Sequence, residues 1–173
     1  MPKCKHCKEQ FKPIKFNQKY CLKPECVEIW VKLAKEKQWK QRKKKIKKEL
    51  KTAKDYKKEA QFWVNKYVRI RDRNDNCISC NKPLHNIKFD AGHFFSAGGH
   101  SFTTFDLDNI HGQCVECNRW KHGNIFEYQK KLIDKIGYER FEKLEKRSNG
   151  IKKWSKEELI QIIDIYKKRC KQF

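Results

Sequence analysis

Eight of the nine cysteines in this 173-residue chain fall into four close pairs, and this spacing is its strongest constraint on folding. Two pairs lie near the N-terminus and two in the middle of the chain. The first module comprises Cys4, Cys7, Cys21 and Cys26, and the second comprises Cys77, Cys80, Cys114 and Cys117. Two pairs of thiols on two short loops complete the tetrahedral sulfur site that zinc prefers. The sequence therefore predicts two structural zinc sites.

The alternative to metal binding is disulfide formation, and the rest of the sequence argues against it. The chain starts Met-Pro-Lys-Cys, which predicts no signal peptide. No stretch approaches the roughly 18–20 apolar residues of a membrane span. We therefore expect a cytoplasmic protein without a membrane partner, whose thiols stay reduced and bind metal. His6 is interpreted as a surface residue and Cys170 as a helix residue without a role.

The charge of the chain points to nucleic acid. Lys and Arg number 43 against 21 Asp and Glu, giving a net charge of +22. Such a surplus attracts the phosphate backbone, although a basic protein without a nucleic-acid role is the alternative. Residues 35–58 hold thirteen Lys and Arg against three acidic residues, which predicts a long exposed helix or a flexible arm. The lysines expected to meet phosphates are Lys43, Lys44, Lys45, Lys47, Lys48 and Lys121.

Periodicity predicts a helical framework around the second module. Apolar residues at helical spacing, Ala60, Trp63, Val64, Tyr67 and Val68, predict a core-facing helix. Residues 77–123 predict short strands and loops, followed by a short helix from residue 115. Further helices are expected over 125–136 and 138–147. A last helix follows the capping-box pair Ser155 and Glu158, with an apolar stripe of Leu159, Ile162, Ile163 and Tyr166.

Polar residues cluster around the second module in a pattern that a purely structural zinc ribbon does not need. Asp90-Ala-Gly-His93 lies between its two cysteine pairs. Asn109 precedes the last pair in the string NIHGQCVEC, and Asn118 follows it directly. A lone His in a strand-like segment is usually structural, but the joint spacing of these groups favours catalysis.

This order of residues resembles the HNH nuclease motif in its His-Asn-Asn form. The whole chain resembles the phage NinG family, also called Rap recombination nucleases. The resemblance rests on the first cysteine module, the Lys-rich stretch, the CISC, DAGH and NIHxQCxxCN strings, and the trailing helices. It implies an α+β fold with an N-terminal zinc knuckle over 1–27 and a basic helical linker over 28–58. An HNH-like ββα-metal core with C-terminal helices would then cover 59–173.

The resemblance also implies roles for individual residues. His93 would be the general base that deprotonates water, and Asn109 would hold its loop or ring. Asn118 would give an oxygen to Mg²⁺ or Mn²⁺, since hard cations prefer oxygen ligands. Many HNH proteins place a further ligand directly before the base, where this chain has Gly92. Asp90, two residues earlier on the same strand face, is our prediction for that ligand.

Several of these assignments have alternatives. Asp90 as a turn or capping residue would leave the metal to Asn118, phosphate and water. Lys121 meets a phosphate or is simply solvated. His111 and His122 are alternative catalytic groups or polar neighbours of a cysteine pair.

The leading hypothesis is a structure-selective, metal-dependent DNA endonuclease of phage or prophage recombination. The resemblance implies branched substrates such as D-loops and Holliday junctions, and a homodimer and a recombinase partner are further hypotheses. A non-catalytic zinc-containing DNA-binding or scaffold protein is the alternative, and an RNA-binding zinc protein is a third. Trp39, Tyr56 and Trp120 are candidates for stacking on unpaired bases, with a core position as the alternative for each.

Overall fold

A computed structural model describes the backbone of all 173 residues and every side chain except that of Lys48. The chain divides into two compact units, Met1–Lys51 and Thr52–Phe173. Across the described residues, no helix combines the length and apolarity that crossing a membrane requires.

The first unit is a cysteine-centred loop region followed by one long helix. Cys4, Cys21 and Cys26 form its small buried core, against which Phe11 and Tyr20 pack. Helix α1 (Pro24–Glu49) starts with a proline, whose fixed φ suits the first helical position. Most of α1 is exposed, and its apolar residues form no continuous stripe. The cysteine module therefore provides the packed part of this unit.

The predicted long basic helix is confirmed as α1, but it does not run to residue 58, because α1 ends at Glu49 and a second helix begins at Ala53. Thr52 caps helix α2 (Ala53–Arg71). Its hydroxyl accepts the backbone N–H of Asp55, whose carboxylate accepts the N–H of Thr52 in return. This reciprocal capping box satisfies helix-terminal donors and fixes the start of α2.

The predicted core face of α2 is confirmed: Ala60, Val64 and Val68 are fully buried. They pack against helix α5 (Lys156–Arg169), which begins at the predicted capping box of Ser155 and Glu158. The same core cluster receives side chains from the sheet and its connecting loop, namely Ala91, Phe105 and Ile110. Helix α2 thus lies against both strands of the sheet, and α5 packs against α2.

The sheet is a single antiparallel pair, β1 (Phe89–His93) and β2 (Ile110–Cys114). A 3₁₀ turn (Ser101–Thr103) lies in the connection between the strands. After β2 come a π-helical turn (Glu116–Trp120), helix α3 (Ile125–Ile136) and helix α4 (Tyr138–Ser148). The last two helices enclose a second core cluster with Ile78, Tyr128, Leu132, Phe141 and Leu144. The predicted α+β class is confirmed, and the short helix expected from residue 115 is the π-helical turn.

A buried ion pair ties the end of α2 to β2. Asp72 is only 2% exposed and accepts a fork of hydrogen bonds from Arg71. Asp72 also accepts the N–H of Gly112, and Arg71 donates to the Ile110 carbonyl. Because each charge has a partner, the pair joins helix and strand without leaving an unpaired buried ion.

Candidate functional site

Each of the two predicted cysteine modules converges into one cluster of sulfur atoms. Within each cluster the four Sγ atoms lie within 4.8 Å of one another. Cys7 and Cys21 are 3.7 Å apart in the first cluster, as are Cys80 and Cys114 in the second. Four sulfurs at about 2.3 Å from a tetrahedral zinc ion are roughly 3.8 Å from each other. Both clusters therefore fit a structural zinc ion, and Cys170 belongs to neither.

Backbone N–H groups support thiolates in both clusters in the same way. The N–H of Cys21 donates to the Cys4 sulfur, and the N–H of Cys114 donates to the Cys77 sulfur, each at 3.3 Å. Burial raises the pKa of Cys4, but N–H donors from Cys21 and Cys7 outweigh it and lower that pKa to about 6. Burial raises the pKa of Cys26 to about 12. A cation is needed to hold all four sulfurs deprotonated together.

The structure brings Asp90 and Asn118, the two residues predicted to hold a catalytic metal, into direct contact. The Asn118 side-chain amide donates to Asp90 Oδ2 at 3.0 Å. Arg119 also donates two parallel hydrogen bonds of 2.7 and 2.8 Å to this carboxylate. Arg119 is the main cause that lowers the pKa of Asp90 below its usual range, and Asn118 adds to it. Asp90 is thus ionised, and both of its oxygens are engaged.

This donor set suits a hard cation in its chemistry, with one carboxylate and one amide oxygen. The arrangement nevertheless places the guanidinium of Arg119 where such a cation would bind. Asp90 can bind Mg²⁺ or Mn²⁺ only if Arg119 releases at least one of the two carboxylate oxygens of Asp90. The role of Asp90 as a metal ligand stays a prediction.

Gly92 stands at the position where many HNH proteins carry a ligand, and the structure explains its lack of a side chain. A Cβ at this position would lie 2.3 Å from Oε1 of Gln113. Gln113 is fully buried, and its amide donates to Ser79 Oγ at 2.7 Å and to the Gly123 carbonyl at 2.5 Å. The Gln113 side chain therefore fills the space beside β1 that a metal-binding side chain at position 92 would need.

The π-helical turn positions Asn118 and Arg119 beside β1. Its closing hydrogen bond runs from the Lys121 N–H to the Glu116 carbonyl at 3.0 Å. His122 and Asn124, which follow, have positive φ angles of 49° and 45°. Non-glycine residues in this region carry backbone strain, and such strain and π turns occur preferentially at functional sites.

His93, the predicted base, ends β1 on the opposite face from Asp90, because side chains alternate along a strand. The two residues are three positions apart along the strand, which places their Cα atoms about 10 Å from each other. His93 Nε2 lies 3.2 Å from the carbonyl oxygen of Thr104. Burial lowers the pKa of His93, partly offset by the carbonyls of Thr104 and Ala91. The imidazole is therefore neutral at pH 7.

Asn109 has the position that its predicted role requires. It is fully buried, and its Oδ1 accepts the N–H of Phe95 at 2.7 Å. Its Nδ2 donates to the carbonyls of Phe95 and Thr103 at 2.9 and 3.0 Å. Asn109 thus joins both ends of the loop that follows His93. Its catalytic importance stays a prediction.

The two alternative histidines differ in their surroundings. His111 is buried, 3.2 Å from Arg71 through Nδ1 and 3.2 Å from the Asp108 carbonyl through Nε2. Burial, with Arg71 next, lowers its pKa to about 4. His111 therefore belongs to the polar core beside Arg71 and Asp72. His122 is exposed.

The predicted phosphate-binding lysines lie on the surface where the structure describes them. Their side chains on α1 are exposed at Lys43, Lys44, Lys45 and Lys47, whereas that of Lys48 lies outside the described residues. Lys121 forms an ion pair of 2.7 Å with Glu116. Trp39 and Trp120 are 61% and 77% exposed, and Tyr56 instead packs against the first core cluster. DNA binding by these residues stays a prediction.

Two residues of this site were not predicted from the sequence, namely Arg119 and Gln113. Arg119 follows Asn118 directly, and its position next to a predicted metal ligand is the sequence feature that could have identified it. Gln113 lies opposite Asp90 in the sheet register, which no local pattern indicates.

Comparison with known proteins agrees with the sequence resemblance. The chain matches the family described as Bacteriophage Lambda NinG protein over residues 1–173. It is 36% identical to Protein ninG of Escherichia phage 933W, covering 98% of this chain and 92% of that protein. It is 35% identical to Protein ninG of Escherichia phage lambda, covering 98% and 91%. For Protein ninG of Salmonella phage P22 the identity is 34%, and the coverage is 98% and 92%. No solved structure matches the chain. The protein belongs to the NinG family.

Proposed function

We propose that this protein is a divalent-metal-dependent DNA endonuclease that acts on branched DNA in phage recombination. The contact between Asp90 and Asn118 carries the proposal. These residues are 28 positions apart in sequence and belong to different elements, β1 and the π-helical turn. Their meeting next to Arg119 creates a small site that combines oxygen ligands with a phosphate-binding cation.

The state of His93 supports a role as general base. In the tautomer in which Nε2 donates to the Thr104 carbonyl, Nδ1 is the basic nitrogen that would accept a proton from water. The lowered pKa keeps this nitrogen unprotonated at neutral pH. Asn109 fixes the loop that carries the Thr104 carbonyl and thereby the orientation of the ring.

Asp90 and Asn118 are the residues that would hold Mg²⁺ or Mn²⁺. When bound, such a cation polarises a phosphodiester and stabilises the departing oxygen. Arg119 would move from the carboxylate of Asp90 to the phosphate, since a guanidinium fork binds either group bidentately. The substrate would thereby help to expose the metal ligand.

The basic helix α1 supports a preference for shape over sequence. Exposed lysines along its length suit contacts with phosphates and read no base edges. A branched junction offers phosphate chains in several directions, so more of them fall within reach of such an arm than on linear duplex.

A second candidate is a non-catalytic DNA-binding protein with two zinc sites. The engagement of both Asp90 oxygens by Arg119 favours it, as does the absence of a side chain at Gly92. In this case Asp90 and Arg119 would form a structural ion pair that fastens the π-helical turn to β1. The charge and both cysteine clusters would serve DNA binding alone.

Cleavage of labelled D-loops, Holliday junctions and linear duplex distinguishes the two candidates. Wild type, His93→Ala and the exposed-histidine control His122→Ala are compared with Mg²⁺, with Mn²⁺ and without added divalent ion. The nuclease proposal expects metal-dependent cutting, strongest on branched DNA, that His93→Ala abolishes and His122→Ala retains. Equal zinc content and thermal stability show that each variant is folded. Tight binding by wild type without cutting under any condition would establish the non-catalytic candidate.

A further inference from the structure

The first unit has an exposed apolar cleft, formed by residues that do not belong to the candidate site. Its volume is about 420 Å³, and it is formed by the loop of residues 14–22 and the first two turns of α1. Phe16 is 96% exposed and Trp30 55% exposed, and Leu22 and Ile14 add further apolar surface. Large exposed apolar groups that cluster in this way mark binding surfaces.

The loop that presents Phe16 is internally fixed. Gln18 accepts the N–H of Ile14 at 2.8 Å and donates to the Tyr20 carbonyl at 2.8 Å. Asn17, directly after Phe16, adopts the left-handed conformation with φ 63°. Within the same loop, Cys21 belongs to the first sulfur cluster. The exposed ring therefore stands on a preformed turn, so binding does not need to order it first.

Charge identifies the ligand for this cleft. Lys15 and Lys19 line it and are exposed. The first unit as a whole has 18 Lys and Arg against five Glu, a surplus of 13 positive charges. An apolar partner surface without negative charge would leave these cations uncompensated, whereas a nucleotide chain supplies flat bases and phosphates together. Unpaired bases offer the ring faces that stacking needs, and duplex bases do not.

We propose that this cleft binds unpaired nucleotides of single-stranded DNA, with bases stacked on Phe16 and Trp30 and phosphates against Lys15 and Lys19. The choice of DNA over RNA rests on the proposed function, and base stacking itself does not. Binding at the cleft requires neither His93 nor a catalytic metal. The first unit would thus recognise the single-stranded part of a branched substrate.

Fluorescence anisotropy without added divalent ion tests this assignment. The probes are labelled oligothymidylate, an abasic strand of the same length, the matching RNA and a linear duplex. Wild type should bind oligothymidylate at least about fivefold more tightly than the abasic strand, given the usual contribution of one stacked base. Phe16→Ala and Trp30→Ala should each remove most of this difference and leave abasic binding unchanged.

Phe62→Ala is the matched control, because Phe62 of α2 is an aromatic residue as exposed as Trp30 and lies outside the cleft. It should retain the preference for bases. Replacing Lys15 and Lys19 by Gln should weaken binding of every strand and reduce its salt dependence. Zinc content equal to wild type shows that each variant keeps the fold of the first unit.

Three results would overturn the proposal. The first is an undiminished preference for bases in both aromatic variants, and the second is tighter binding of RNA than of DNA. The third is a wild-type dimer in sedimentation that Trp30→Ala dissociates, because the cleft would then be covered by a second copy of the chain. A failure of nuclease activity alone leaves these binding measurements unaffected, so the two proposals fail separately.

Discussion

Adding one methyl group at Gly92 should destabilise the second unit because Gln113 occupies the space. The added Cβ would lie 2.3 Å from Oε1 of Gln113, 3.0 Å from its Cβ and 3.1 Å from its Cδ. Gln113 cannot turn toward solvent without leaving its two hydrogen-bond partners, Ser79 and Gly123. Gly92→Ala therefore forces either a shift of β1 or the displacement of a fully buried amide.

The size of the effect follows from these contacts. Overpacking a core costs about 1–3 kcal/mol. Displacing Gln113 would remove two hydrogen bonds worth about 1 kcal/mol each. The gain from replacing glycine in a strand offsets about 0.5–1 kcal/mol. We expect the free energy of unfolding to fall by about 2–4 kcal/mol in Gly92→Ala.

A double-mutant cycle separates this clash from other effects. Urea unfolding is followed by tryptophan fluorescence at constant zinc for Gly92→Ala, Gln113→Ala and the double variant. Because Gln113→Ala removes the obstructing amide, the second substitution should then cost little, giving a coupling of about 2 kcal/mol. Gly98→Ala is the control, since a Cβ there meets no atom within 4 Å among the described residues. It should change stability by less than about 0.5 kcal/mol.

Additive effects of Gly92→Ala and Gln113→Ala would refute this explanation. So would a Gly92→Ala variant as stable as wild type. Either result would mean that β1 has room for a side chain at residue 92, and the absence of a ligand there would need another cause.

Three further predictions concern the candidate site and its supports. Arg119→Gln releases the carboxylate of Asp90, so this variant should bind Mn²⁺ a few-fold more tightly than wild type does, as measured by electron paramagnetic resonance without DNA. Unchanged Mn²⁺ affinity would argue against Asp90 as a ligand. Asn109→Ala removes three hydrogen bonds, two with Phe95 and one with Thr103, and should lower the free energy of unfolding by about 2–4 kcal/mol. The exposed control Asn74→Ala should change it little in urea titrations. Burial and Arg71 lower the pKa of His111 to about 4, so the unfolded chain takes up the proton first as the pH falls. The contribution of the neutral His111 ring to the free energy of unfolding is therefore fully present above about pH 6.5 and is lost as the pH falls toward 4, by at most about 3 kcal/mol. His111→Gln should flatten this pH dependence in urea titrations across that range.

Local sequence patterns predicted the helices of the second unit well. The start of α5 follows from Ser155 and Glu158, two residues that satisfy each other across one turn. The buried face of α2 follows from apolar residues at helical spacing. The same kind of pattern was available at Thr52 and Asp55, where a capping box interrupts the basic stretch. The basic composition of residues 35–58 predicts a long helix or a flexible arm, and it does not indicate the break between two helices that the capping box marks.

The sequence predicts which residues belong to the candidate site, but it does not predict which of them contact each other. The cysteine spacing located both sulfur clusters, because four ligands of one ion must meet wherever the chain between them runs. The meeting of Asp90 with Arg119 depends on a π-helical turn, and one residue more or less in that turn would rotate Arg119 away from β1. Gln113 faces Gly92 only through the register of the sheet. Such non-local geometry leaves no periodic trace in the sequence.

The second sulfur cluster connects these parts. Cys114 ends β2, and Cys117 lies within the π-helical turn directly before Asn118. Asn124, at the far end of the strained loop, donates to the Cys117 sulfur. Zinc at this cluster would therefore hold the turn against the sheet whether or not the protein cleaves DNA, so loss of zinc disables both candidate functions alike. The exchange of Arg119 for a cation at Asp90 is needed by the nuclease alone, which makes that carboxylate the point at which the two functions separate.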